Sequence, residues 1–214
     1  MLDDMIDKCF QNIPDDKIPV IGISGASGSG KTYLSKLIVE NIPETTILHQ
    51  DNYYQELSGI CLGDSGKRNY DHPESFDHSL FYEHITALSK GETISQPIYD
   101  YKTHRRTEHY RTMICKKLLV VEGIMVFYED IISQVINMKV FMDTAPDICL
   151  IRRLKRDIKD RGRSWNQVID QYLDSVRPMW IQFIQPMKEK CDLCIGSEQD
   201  SQRLLTKLTD ILYN

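Results

Sequence analysis

Apolar residues along the chain fall into two alternating rhythms. Short continuous runs such as Val20-Ile21-Gly22-Ile23, Ile47-Leu48 and Leu118-Leu119-Val120-Val121 predict buried strands over 19–24, 45–49, 118–122, 138–143 and 192–195. Between them lie stretches with helical spacing, such as Leu34, Leu37 and Ile38, which predict helices over 31–42, 127–136, 146–160 and 200–213. Strands that alternate with helices in this way predict a parallel sheet covered on both faces. Three stretches depart from the rhythm. Residues 50–76 are polar and rich in Gly, Asp and Tyr, and read as one long loop, a length more often functional than idle. Ser95 to Tyr101 and Glu108 to Ile114 read as an inserted antiparallel hairpin turning at 102–107. Ser164 to Gln185 reads as a helix that Pro178 kinks or breaks.

The join between the first strand and the first helix carries the most chemistry. Gly25-Ala26-Ser27-Gly28-Ser29-Gly30-Lys31-Thr32 fits G-x-x-x-x-G-K-[ST], the loop that cradles the phosphates of a nucleoside triphosphate. Glycines remove side chains, so backbone N–H groups can close on phosphate oxygens at a helix N-terminus. Lys31 would reach the β- and γ-phosphates, and the Thr32 hydroxyl would ligate Mg²⁺. A dinucleotide-binding turn is rejected: the spacing is not G-x-G-x-x-G, and Lys31-Thr32 would have no role there. The fold expected is therefore α/β, a P-loop NTPase-type parallel sheet flanked by helices, in a single domain over 1–214. The hairpin insertion lies at about 95–114 and a helical lid at about 150–170.

Composition narrows the function less than the loop does. The 214 residues are 41% hydrophobic and 27% charged with a net charge of −5, an ordinary soluble balance and a poor one for binding nucleic acid over a whole surface. The acidic N-terminus lacks the basic start of a signal peptide. The longest apolar stretch, about 118–128, is too short to span a membrane and contains Glu122. A cytoplasmic location follows as the expectation, and six scattered cysteines suit it better than a disulfide framework. Cys191 and Cys194 have zinc-like spacing but no second pair, so buried thiols on a strand are expected. Pro146 to Arg163 concentrates positive charge, with Arg152, Arg153, Lys155, Arg156, Lys159, Arg161 and Arg163 against three aspartates. Such a run is commonly a solvated helix face. Beside a phosphate loop it suits a lid that clamps the transferring phosphoryl group.

Other phosphate-loop classes fit less well. The Asn-Lys-x-Asp guanine signature is missing, and Leu57-Ser58-Gly59 is only a fragment of the transport-ATPase signature. A small kinase is left, and its reaction needs one carboxylate to take the acceptor hydroxyl's proton and another near Mg²⁺. Asp51 follows the strand ending at His49, and Glu122 ends Leu118–Val121, the strand-end placements such groups need.

Here the chain resembles the uridine–cytidine kinase family. The resemblance rests on Gln50-Asp51-Asn52-Tyr53-Tyr54, Asn69-Tyr70-Asp71-His72-Pro73 and Pro97-Ile98-Tyr99-Asp100-Tyr101-Lys102-Thr103-His104-Arg105. Glu122-Gly123-Ile124, Asp147 to Arg153, Arg161-Gly162-Arg163-Ser164 and Gln171-Tyr172 extend it, in register from about Val20 to Asp192. The resemblance implies ATP or GTP as phosphate donor, Mg²⁺, uridine and cytidine as acceptors, and a homotetramer. It implies that Asp51 is the catalytic base, that Lys31 and Arg161 act on the transferring phosphoryl, and that Thr32, Glu122 and Asp51 surround the metal. Asp71 and Arg153 would hold the ribose hydroxyls. Tyr99, His104, Arg163 and Gln171 would contact the pyrimidine, with Tyr70 and Tyr101 as aromatic walls. Gly25, Ala26, Ser27, Gly28, Ser29, Gly30, Lys31, Thr32 and Tyr33, with Arg156 and Arg161, would meet the triphosphate. The family's Pro-Arg-Gly after the last strand is replaced by Gly196-Ser197-Glu198-Gln199-Asp200, so Asp200 as an adenine-site acid, and the donor preference, rest on less. Kinases of pantothenate or ribulose 5-phosphate share the loop but not the pyrimidine set. A regulator without catalysis would be expected to lack Lys31 or Asp51. An RNA-binding reading of the basic run has no recognised motif behind it.

Overall fold

A computed structural model describes residues 2–55, 69–101 and 103–213. Five parallel strands form its centre: β1 (Val20–Gly25), β2 (Thr45–His49), β5 (Leu118–Glu122), β6 (Met138–Met142) and β7 (Leu193–Ile195). Their spatial order is β2-β5-β1-β6-β7, with β1 hydrogen-bonded on both sides. Alternate residues of each strand serve opposite faces, so the sheet separates two apolar layers. Leu119 and Val121 face a layer closed by α3 (His78–Ser89) and α4 (Asp130–Gln134). Leu118 and Val120 face a second layer with α1 (Leu2–Phe10), α2 (Lys31–Asn41) and α8 (Glu198–Tyr213).

The strands expected from apolar runs are all present, with ends moved by a residue or two. Two helices were not legible as apolar stripes in a polar setting. In α1, Ile6 is fully buried among mostly charged neighbours. In α3, Phe81, Ile85 and Leu88 follow helical spacing behind Asp77, whose side chain accepts from the Leu80 N–H at 3.1 Å as an N-cap. That Asp-then-apolar signal lay in the sequence. The helix expected over 127–136 is only α4, because Ile124–Phe127 form a buried turn. Of the kink or break expected at Pro178, the break does not occur. The chain stays helical from α6 (Trp165–Gln171) through α7 (Arg177–Met179), with wider π-helical turns at Tyr172–Val176 and Trp180–Ile184. A wider turn accommodates a ring that lacks an N–H and crowds the preceding carbonyls.

Outside the main sheet, β3 (Ile94–Asp100) and β4 (Arg105–Met113) pair antiparallel, with a register shift between Pro97 and Tyr99. Of the long polar loop, 56–68 lie outside the described residues, as does Lys102 in the hairpin turn. The flanks of that loop run together: Gln55 N–H donates to Ser75 O, and Asp77 N–H to Tyr53 O. Arg106 of β4 ties the hairpin to both flanks. Its guanidinium donates to the carbonyls of Tyr53 and Tyr54 and to the Asp77 carboxylate at 3.2 Å. Replacing Asp77 by Ala removes a helix cap and this ion pair together. We expect a stability loss of about 1–2 kcal/mol in urea unfolding, with faster amide exchange over 105–113. Unchanged exchange there would show that the latch does not hold the hairpin.

Candidate active site

The carboxyl ends of β1, β2, β5 and β6 open on one crevice, the place where open parallel sheets bind ligands. Gly25 ends β1 at φ 144°, Gly28 sits at φ 87° and Gly30 caps α2 at φ 102°. A Cβ on Gly28 would lie 2.4 Å from the Cys149 carbonyl oxygen, so the loop presses on the start of the basic helix α5 (Pro146–Arg161). Lys31 folds back over the loop, and its Nζ donates to the carbonyls of Gly25 (2.9 Å) and Ala26 (2.8 Å). Burial lowers its pKa from the ordinary lysine value, against the attraction of Glu122 and Asp51.

Glu122, at the end of β5, is buried beneath the loop. Its Oε1 accepts from Thr32 Oγ1 at 3.1 Å and lies 2.7 Å from His49 Nδ1, while Oε2 accepts from Ser35 Oγ at 3.1 Å. Burial alone would raise this carboxyl. The hydrogen bond and charge of His49, with Lys31 and Ser35, outweigh burial and hold it below the usual glutamate range. Beside it, Gln50 is fully buried. Its Oε1 accepts from Met125 N–H at 2.9 Å and occupies the space a Cβ on Gly123 would need.

Two cavities meet here. The smaller, about 260 Å³, is lined by Ser27, Gly28, Gly30, Lys31, Thr32, Tyr33, His49, Asp51, Glu122 and the arginines 152 and 156. The larger, about 750 Å³, lies within the range of small-molecule sites. All eight residues expected to face a nucleoside line it: Tyr70, Asp71, Tyr99, Tyr101, His104, Arg153, Arg163 and Gln171. Ser27, Asp51, Ile124 and Arg156 border both cavities. Asp51, on the short 3-10 helix after β2, accepts from the Tyr101 hydroxyl at 2.8 Å. Burial and the nearby Asp51 raise the Tyr101 pKa, which keeps that phenol a donor.

An aromatic wall runs along the larger cavity. Tyr99 packs on Tyr54 with centroids 5.0 Å apart, and Tyr70 stacks on His104 at 4.8 Å and 21°. His104 adopts the left-handed backbone conformation, φ 56°. Asp71 and Arg153 are both buried. Burial raises the first and lowers the second, each against the attraction of the other. Gln171 Oε1 accepts from both Arg153 and Arg163.

Several placements were not legible in the sequence. Tyr54 and Ile124 line the larger cavity, and His49 and Ser35 hold Glu122. Asp157, fully buried on α5, contacts Arg153, Arg156, Arg161 and Arg163. Arg161 lies in the larger cavity with its guanidinium carbon 4.9 Å from the centroid of the Tyr101 ring, and not in the loop cavity. Asp200 lines neither cavity. It closes the N-terminal turn of α8, where it accepts from Ser197 Oγ at 2.7 Å and from the Ser197 and Gly196 amides. Cys194 is exposed rather than buried, with its sulfur 3.3 Å from Cys191. Among the described residues no group of three or more His, Cys, Asp and Glu is arranged to hold a metal, and no helix is long and apolar enough to cross a membrane.

A phosphate loop at the head of a five-stranded parallel sheet, with strand-end carboxylates beside a second cavity, defines a phosphate-loop kinase, a phosphotransferase. The match to the Phosphoribulokinase / Uridine kinase family covers residues 20–202, and the chain belongs to that family. It is 44% identical over 193 residues to a uridine kinase of Borrelia garinii subsp. bavariensis, covering 90% of this chain and 93% of that one. To a uridine kinase of Clostridium novyi it is 43% identical over 178 residues, covering 82% and 86%. The solved D-glycerate 3-kinase of Cryptococcus neoformans shares the fold, with a TM-score of 0.57 at 15% identity over 85% of each chain.

The depressed Glu122 carboxyl has a pH signature. A carboxyl whose folded pKa lies below its unfolded value contributes stability above the unfolded pKa, and that contribution fades as pH falls through the folded pKa. With an unfolded value near 4.5, wild-type protein should lose this stability as pH falls below that point. Glu122→Gln should show a shallower loss of urea stability between about pH 5 and pH 3. Parallel curves for the two proteins would contradict the assignment.

Proposed function

We propose that this kinase transfers the γ-phosphoryl of ATP or GTP to the 5′-hydroxyl of uridine and cytidine, forming UMP and CMP in pyrimidine salvage. The observation that carries the reading is the position of Asp51 on the border between the loop cavity and the aromatic cavity. A nucleoside in the larger cavity would bring its 5′-hydroxyl to that border, where the phosphate chain also ends. The relatives named as uridine kinases support the choice of acceptor. Pantothenate or ribulose 5-phosphate would leave the wall of Tyr99, Tyr54, Tyr70 and His104 without a ring to face.

Each residue then has a task. Asp51 takes the hydroxyl proton while Tyr101 steadies one of its oxygens. Asp71 accepts from, and Arg153 donates to, the ribose 2′- and 3′-hydroxyls. A neutral imidazole has one donor and one acceptor nitrogen, so His104 can meet either O4 of uracil or the N4 amino group of cytosine. Gln171 Oε1 is committed to two guanidinium groups, so its amide nitrogen is the atom it can offer the base. Backbone N–H groups of the loop and Lys31 hold the phosphates, for which Nζ must leave its two carbonyls. The donor set of Thr32, Glu122 and Asp51 is all oxygen and fits Mg²⁺, which is commonly held by one or two carboxylates together with substrate phosphates. When bound, that ion neutralises charge on the β- and γ-phosphates. The basic segment at about 150–170 acts as a lid whose Arg156 and Arg161 stabilise charge on the transferring phosphoryl. The enzyme works as a homotetramer in the cytoplasm, without a nucleic-acid or membrane partner.

A coupled assay against a panel of nucleosides, pantothenate and ribulose 5-phosphate tests this reading. Phosphorylation of the latter two and neither nucleoside would end it. Asp51→Asn keeps the shape and removes the base, so kcat should fall about 10²–10⁴-fold while uridine affinity hardly changes. Deoxyuridine, lacking one hydroxyl bonded to a charged group worth about 1.5–3 kcal/mol, should lose about one to two decades of kcat/KM against uridine. Equal rates for the two would instead indicate a site blind to the 2′-hydroxyl.

A further inference from the structure

Asp157 belongs to neither cavity, yet it touches four arginines that line the larger one. It is fully buried on α5, and its two oxygens divide the arginines between them. Oδ1 faces the reaction side: Arg156 lies 2.8 Å away and Arg161 3.3 Å away. Arg156 borders both cavities and also reaches Ser27 Oγ of the phosphate loop at 3.3 Å. Arg161 lies over Tyr101, the residue bonded to Asp51. Oδ2 faces the nucleoside side: Arg153 lies 3.6 Å away and Arg163 3.8 Å away, and both donate to Gln171. The backbone reinforces this side. Gly162 takes the left-handed conformation at φ 64°, and the Arg163 N–H returns to the Asp157 carbonyl at 3.1 Å.

The two sides differ in tightness. The Oδ1 contacts are short. Oδ2 and Arg153 Nε are buried and have no hydrogen-bond partner among the described residues, although they face each other. A buried carboxylate oxygen and guanidinium N–H left in that state gain free energy when they close together. Four cations around one carboxylate also repel one another, and anionic phosphate relieves that repulsion.

We infer that Asp157 is a positioning residue that couples the two substrate sites, so that nucleoside binding on its Oδ2 side sets the arginines of its Oδ1 side for phosphoryl transfer. Nucleoside that engages Arg153 and Arg163 from the cavity side fixes the loose Oδ2 contacts in one geometry, and the carboxylate so oriented holds Arg156 and Arg161 on Oδ1. Linkage requires the reverse as well: a bound triphosphate tightens nucleoside binding by the same factor. The inference rests on the proposed acceptor only in the choice of ligand.

The test measures uridine affinity by calorimetry with and without the β,γ-imido analogue of ATP and Mg²⁺. For the wild-type enzyme we expect the analogue to tighten uridine binding by about five-fold or more, the lower end of ordinary coupling. In Asp157→Asn that factor should collapse towards one, and kcat should fall by about 10²-fold as the arginines lose their common anchor. Asp157→Glu, which restores the charge, should recover part of both. A merely structural role would weaken the two ligands alike and leave the coupling factor at its wild-type value, which would overturn the inference. So would a wild-type factor of one. Should Asp157→Asn fail to fold, Arg163→Gln supplies the same readout: it removes one nucleoside-side partner and should lower the factor, and an unchanged factor would count against the role. If the panel identifies a different acceptor, the substrate reading fails separately, and the same cycle is run with that acceptor.

Discussion

The double pairing of β1 is the constraint on which the site depends. β1 is hydrogen-bonded to β5 on one side and to β6 on the other, in parallel register, so Gly25 ends level with Met142 while Glu122 lies level with Ile23, two residues beneath the start of the loop. The glycine loop therefore begins at a fixed height above the sheet, against the carbonyl of Met142 and, one turn on, that of Cys149. Backbone approach this close excludes a Cβ at Gly25 and Gly28, and it fixes the direction in which the α2 N-terminus and its amides point. Lys31, Thr32 and Glu122 inherit their positions from that geometry. A loop of the same composition without the two flanking ladders would have no fixed surface to close against.

Charge is the second organising quantity. Lysine, arginine and carboxylate side chains converge on the crevice, and several are buried well beyond what an unpaired charge tolerates. Each is answered by a partner: Lys31 by two loop carbonyls, Glu122 by Thr32, Ser35 and His49, and Arg153 by Gln171, with Asp71 and Asp157 supplying opposite charge. Such partners are weak evidence for stability, since a buried ion pair barely offsets its desolvation. Under the proposed function they serve to position charged groups around the crevice, although Lys31 must exchange its two carbonyls for phosphate.

The hairpin and its neighbouring loop give the same sheet its second cavity. Tyr99 and Tyr101 reach the crevice because the β3 register shift near Pro97 and Tyr99 re-aims the strand, and because Arg106 pins β4 to the chain after β2. The aromatic wall and the phosphate loop thus come from segments far apart in sequence, and among the described residues their cavities share the border residues Ser27, Asp51, Ile124 and Arg156.

Much of this could be read from the order of the residues. Strands with apolar residues on both faces declare themselves as short runs, and the phosphate loop needs its glycines, lysine and threonine in consecutive positions. Both are local requirements and so leave a local mark. Helices α1 and α3 left a fainter one, because their buried residues are few and interspersed with polar ones. The single-residue placements were decided by the tertiary structure. The basic run from Arg152 to Arg163 has one charge pattern whether its helix is solvated or turned inward. Only packing of α5 against the loop and α6 turned it inward and made Asp157 the centre of four guanidinium groups. Asp200, equally suggestive in sequence, was drawn into a helix cap because Ser197 lies three residues before it. A side chain's partners depend on the elements that fold against it, and those distances are not written in neighbouring residues.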